Sequence, residues 1–92
     1  MNVDIPKLRG LDLFSGIGGI SLALSPWVRT VAYCESDPYA TAVLLSRMQS
    51  GELDRAPVWD DVRTLNAEVL GLGKGGNEGS RASIDLIYGG FP

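Results

Sequence analysis

Eight consecutive residues, Asp12-Leu13-Phe14-Ser15-Gly16-Ile17-Gly18-Gly19, put three glycines directly behind an apolar run. Glycines at a strand end allow positive φ and let a ligand approach the backbone closely. The helix that follows offers unpaired N–H groups and a partial positive charge to an anionic group. Glu35 follows Gly16 by 19 residues. At the end of the next strand, such a carboxylate is placed to accept hydrogen bonds from ribose hydroxyls. A lone Gly-x-Gly is a weak signal, but coupled to a downstream acid it describes a nucleotide-type cleft. The competing bland reading makes the glycines simple tight turns and Glu35 a solvated strand end.

The elements that must position these residues can be read along the chain. After a polar leader, Leu8 to Phe14 is short, apolar and closed by Ser15-Gly16, as a buried parallel strand entering a turn would be. Gly18 to Leu24 offers Ile20, Leu22, Ala23 and Leu24 to a short helix, stopped at Ser25-Pro26 because the residue before a proline avoids helical geometry. Val28 to Tyr33 makes a second strand ending near Glu35. Asp37 or Ser36 then caps a helix with Pro38 in its first turn, and Tyr39, Val43, Leu44 and Met48 recur at helical spacing as far as Gly51. Ala56 to Asp60 is a short strand, Leu65 to Leu70 one or two helical turns, and Ile84 to Tyr88 a last apolar strand. Between them, residues 71–79 hold five glycines in nine positions, which makes residues 71–83 a flexible glycine-rich loop. Strands alternating with helices imply an α/β protein with a parallel sheet, right-handed crossovers and strand order 3-2-1-4.

Composition bounds the function. The chain has 92 residues, 45% hydrophobic and 21% charged, with a mean hydropathy of +0.08, as for one small soluble domain or a piece of one. No apolar run reaches the roughly 18 residues a membrane span needs, and no export signal opens the sequence. One cysteine, Cys34, excludes an internal disulfide framework; the absence of histidine excludes Ser/His/Asp triads and the usual zinc sites, so no metal is expected. Eleven acids against eight bases give a net charge of −3 and a pI near 4.7, which is not the basic footprint of a self-sufficient nucleic-acid binder.

Two nucleotide classes fit the cleft. The dinucleotide fingerprint wants glycine or alanine at position 21, where this chain has Ser21, and it does not include Gly19 or the Phe14-Ser15 step. An NAD-binding half domain of an oxidoreductase is therefore the second reading. A cofactor with no diphosphate, carrying instead an amino-acid carboxylate and amine, suits the sharper turn and the acidic strand end; S-adenosylmethionine is such a molecule.

At this level of detail the sequence resembles the DNA cytosine-5 methyltransferases. Asp12 to Gly19 is similar to the family's first motif, Glu35-Ser36-Asp37-Pro38-Tyr39-Ala40 to its second, Asp60-Asp61-Val62 to its third, and Asp85 to Pro92 to the opening of its fourth, all in the family's order. The resemblance covers most of the chain, and Gly89-Gly90-Phe91-Pro92 is its most specific phrase. It implies that residues 1–92 are the N-terminal, cofactor-binding part of a catalytic domain with a partial Rossmann-like S-adenosylmethionine-dependent methyltransferase fold. Phe14, Ser15, Gly16, Ile17, Gly18 and Gly19 would line the methionine end of the cofactor. Glu35 would hold the ribose hydroxyls, Asp61 the adenine amino group, and Val62 a ring nitrogen through its backbone and one ring face through its side chain. Pro92 would sit near the reactive end. Ser36 departs from members with a large apolar or aromatic residue there, leaving one adenine face without a stacking partner.

The family's chemistry, methyl transfer to C5 of cytosine in flipped-out DNA, needs a thiolate that would follow Pro92. The resemblance thus implies that these residues alone are inactive, that DNA is engaged through C-terminal parts, and that a complementing polypeptide is a further reading. It also implies a cytoplasmic location, or wherever the DNA is, and no membrane. Cys34, in or at the end of a strand, reads as a small buried hydrophobe and not a nucleophile. Trp27, Trp59 and Phe91 read as core aromatics, and the scattered Arg47, Arg55, Arg63 and Arg81 as a solvated face.

Overall fold

The structure, a computed structural model, describes residues 6–66 and 84–90. The chain runs through β1 (Leu8–Leu13), α1 (Gly19–Leu24), β2 (Val28–Cys34), α2 (Pro38–Gln49), β3 (Val58–Trp59), a 3-10 turn at Val62–Thr64, and β4 (Leu86–Gly89). Every pairing is parallel and the sheet order is β3-β2-β1-β4, the topology the alternation of elements predicted. All strands therefore end at the same edge, and the order reverses beside β1, which is where open α/β sheets form their crevice.

β2 is mostly apolar because, Arg29 apart, its residues are buried or half-buried on both faces. Its Tyr33 joins Leu44, Met48 and Leu53 in a core against which Ala56 and Val58 pack. α2 enters this core by Ala40, Leu44 and Met48, each four residues from the last. Tyr39, included in the stripe by the sequence reading, lies about 100° round the helix from Ala40 and is 75% exposed. The cap of α2 is Asp37, whose carboxylate accepts from the Ala40 N–H at 2.8 Å, with Pro38 at the first helical position.

α1 departs further from expectation. Its apolar Ile20 and Leu22 are exposed, and its one buried residue is Ser21. Ser21 is drawn inward by a line of polar side chains: the Tyr88 hydroxyl lies 2.6 Å from Thr30 Oγ1, which lies 2.9 Å from Ser21 Oγ, which donates at 2.5 Å to Asp12 Oδ2. With a carboxylate at its end, the line runs as a one-way relay of donors toward Asp12. Gly10 on β1 makes room for it, since a Cβ there would run into the Tyr88 ring.

Both outer strands are displaced from their predicted bounds for identifiable reasons. β3 shrinks to two residues because Pro57 has no N–H to give, although its carbonyl accepts from Tyr33 N at 2.9 Å. β4 starts late because Asp85 replaces one rung of the ladder with its side chain: Arg9 N donates to Asp85 Oδ2 at 2.8 Å while Asp85 N donates to Arg9 O. Trp27, read as core, is 65% exposed beside Pro26 and Leu8, and Trp59 is half-buried with its indole N–H on Thr64 Oγ1. The glycine-rich stretch 71–83, most of the predicted turns at 65–70, Arg81, Phe91 and Pro92 lie outside the described residues. Among those described, no helix is long and apolar enough to cross a membrane.

Candidate functional site

The site begins where β1 stops. Phe14 takes a left-handed φ of 52°, uncommon for a bulky side chain, and turns the chain out of the sheet. Ser15 anchors the turn from below: it is buried, its N–H donates to Cys34 O at 3.0 Å, and its hydroxyl donates to Asp12 O at 2.8 Å. Gly16 and Gly18 follow with φ of 57° and 91°. At Gly18 a side chain is doubly excluded, since a Cβ would lie 2.6 Å from Leu53 Cδ1 and 3.0 Å from Leu44 Cδ2.

Glu35, at the end of β2, ties this turn to the next. Its Oε1 accepts from the Gly16 N–H at 2.6 Å and its Oε2 from the Asp37 N–H at 2.8 Å, while its own N–H donates to Trp59 O at 2.8 Å. One residue thus joins the loop after β1, the start of α2 and the end of β3. Each carboxylate oxygen keeps a lone pair for a further donor.

A cleft of about 290 Å³ opens at this edge of the sheet. Of the residues singled out from the sequence, Phe14, Glu35, Ser36, Asp61 and Val62 line it together, from three separate strand ends. The others stand differently. Ser15 lies beneath the turn, Gly18 packs on the core, Ile17 is exposed with its carbonyl accepting from Arg47 Nη1 at 3.0 Å, and Gly19 opens α1 in open space. These residues shape the loop, while Gly16 presents its amide to Glu35. Pro92 is outside the described residues.

The wall also contains residues that the sequence reading assigned elsewhere or left without a role: Cys34, Asp60 and Arg63. Arg63 is held by Asp61 through Nε on Oδ1 and Nη2 on Oδ2, both at 3.0 Å, and through its backbone N–H on Oδ1 at 2.9 Å. These bonds lower the Asp61 carboxyl below its ordinary range and raise the guanidinium. The signal available in the sequence was the Asp-x-Arg spacing, which a capped turn closes onto itself. Cys34 is buried, and burial first, then Asp61, Glu35 and Asp60, push its thiol up, which disfavours the thiolate.

Two properties limit what the cleft can hold. Three carboxylates, Glu35, Asp60 and Asp61, face one cation, Arg63, which suits a ligand rich in hydroxyl and amino donors or itself cationic. The Gly16 amide, which a phosphate would need in a glycine cradle, is already taken by Glu35.

No protein-family model matches the sequence, and no curated protein is significantly similar to it. Solved structures resemble it in fold. The PH0226 protein of Pyrococcus horikoshii OT3 superposes with a TM-score of 0.54 at 22% identity, over 66% of this chain and 29% of that one. The YcgJ protein of Bacillus subtilis gives 0.46 at 25% identity, over 56% of this chain and 22% of that one. The chain therefore spans less than a third of the length of either. The fold is an α/β parallel sheet in the order 3-2-1-4, a partial Rossmann-like fold.

Proposed function

We propose that the chain is the S-adenosylmethionine-binding part of a DNA (cytosine-5)-methyltransferase. The observation that carries this reading is the bond from Gly16 N to Glu35 Oε1, because it fills the glycine loop with a carboxylate where an NAD diphosphate would have to lie. A cofactor with a sulfonium and a ribose, and without phosphates, meets no such conflict. The excess of carboxylates in the cleft supports the same choice.

In this reading the bound cofactor supplies an activated methyl group, and the chain supplies its seat. Glu35 takes the ribose hydroxyls on the lone pairs left by Gly16 and Asp37, Asp61 accepts from the adenine amino group, and Phe14 and Val62 give the apolar walls. Cytosine specificity rests on the resemblance in motif order and on Gly89-Gly90-Phe91-Pro92. The family's reaction adds a thiolate to C6 of a flipped cytosine, lets C5 take the methyl group, and releases the thiolate as C5 loses its proton. Cys34, the one cysteine here, is a buried residue at the end of β2, so the nucleophile, the base-flipping surface and the grip on DNA are assigned to other parts of the enzyme, in the same polypeptide or a complementing one.

Titration calorimetry of the 92-residue chain with S-adenosylhomocysteine and with NAD tests the cofactor. Binding of the first and not the second is expected; the reverse preference overturns the reading. A preparation joined to a cysteine-bearing C-terminal part of a DNA cytosine-5 methyltransferase, assayed for methyl transfer to cytosine, tests the substrate.

A further inference from the structure

Arg63 is 86% exposed in its side chain, yet it gives three hydrogen bonds to the single carboxylate of Asp61. A carboxylate offers about four lone pairs. On Asp61, Oδ1 receives two donors, the backbone N–H and Nε of Arg63, and Oδ2 receives one, Nη2. Oδ1 is saturated, and Oδ2 keeps a single acceptor position on a side chain that is about one-third exposed and lines the cleft. The planar fork also fixes the orientation of the carboxylate, which a lysine at 63 could not do with one ammonium.

We infer that Arg63 is a positioning residue that sets the base selectivity of the cleft: by forking Asp61 it leaves one oriented acceptor, which takes an exocyclic amino group and turns away a carbonyl. This deepens the cofactor reading and rests on it. Held beside a guanidinium, Asp61 stays ionised and has no proton to offer a 6-oxo purine. Ser36 sharpens the dependence, because a hydroxymethyl side chain in the cleft lining cannot stack on the ring, so the base is chosen by its edge more than by its face.

The test compares S-adenosylhomocysteine with its 6-oxo analogue S-inosylhomocysteine, by calorimetry, on wild type, Arg63→Ala, Arg63→Lys and Asp61→Asn. Wild type is expected to prefer the adenosyl ligand by about tenfold or more, the worth of a hydrogen bond to a charged group. Arg63→Ala should lose most of that ratio by weakening the adenosyl ligand alone, and Arg63→Lys should not restore it. Asp61→Asn, whose amide can donate to a carbonyl, should bring the ratio to one or below. A far-ultraviolet spectrum unchanged in Arg63→Ala, expected for so exposed a residue, excludes unfolding as the cause. If Arg63→Ala weakens both ligands alike, or leaves the ratio intact, the role of Arg63 is wrong while the cofactor reading stands. If wild type binds neither ligand, both fall.

Discussion

The Gly16 amide donates to the Glu35 carboxylate at 2.6 Å, joining the loop after the first strand to the tip of the second. The contact makes Glu35 a structural clasp as well as the proposed ribose-binding group, which changes what its removal should do.

Glu35→Ala should weaken S-adenosylhomocysteine binding by about 1 to 3 kcal/mol, the range for a charge-assisted hydrogen bond. It should also free the Gly16 and Asp37 amides, visible as accelerated hydrogen exchange at those two positions. Unchanged affinity removes Glu35 from the site, and unchanged exchange contradicts the clasp.

The two loop glycines should differ. Alanine at Gly18 meets Leu53 and Leu44 in addition to a φ of 91°, and should cost about 2 to 4 kcal/mol. Alanine at Gly16 meets nothing within 4 Å and should cost only the left-handed conformation, about 1 to 2 kcal/mol. Chemical denaturation of both variants checks the order; equal losses would mean that packing on the core is not what demands glycine at 18.

Asp12 should make the protein less stable as pH rises. It is almost wholly buried, its Oδ1 has no partner, and burial raises its carboxyl above the ordinary 3.8. A raised value in the folded state means the folded chain holds the proton more tightly than the unfolded chain. Its contribution is therefore fully present below 3.8 and lost as pH climbs through the folded value. Asp12→Asn keeps an acceptor for Ser21 and removes the titration, so its melting temperature relative to wild type should rise as pH climbs above 3.8. A difference that stays flat with pH contradicts the assignment.

The 92-residue chain should self-associate through β4. At the opposite edge, β3 is guarded by its two-residue length and by Pro57, whereas β4 shows Leu86 and Ile87 at 37% and 60% exposure on an edge with no neighbouring strand among the described residues. Sedimentation velocity should reveal species larger than a monomer, reduced in Ile87→Lys. A single monomeric boundary for wild type refutes this.

The sequence by itself determined the order of elements, the parallel sheet and the pairing of a glycine turn with an acid 19 residues on, because these follow from local chemistry: apolar runs, Pro38 behind Asp37, and glycines where φ must be positive. Proximity along the chain also made strand ends legible as neighbours once the sheet was parallel, so Phe14, Glu35, Ser36, Asp61 and Val62 meet in one cleft. What depended on distant partners was decided only by tertiary structure. Ser21 in place of Ile20 or Leu22 faces inward because Asp12, Thr30 and Tyr88 wait there with hydrogen bonds that no periodicity encodes. Gly18 turned out to serve the core through Leu44 and Leu53, and Arg63, one scattered cation in the sequence, became part of the cleft because a short capped turn folds it back on Asp61. Side-chain hydrogen bonds act over a few ångströms, and only the fold brings residues tens of positions apart within that reach.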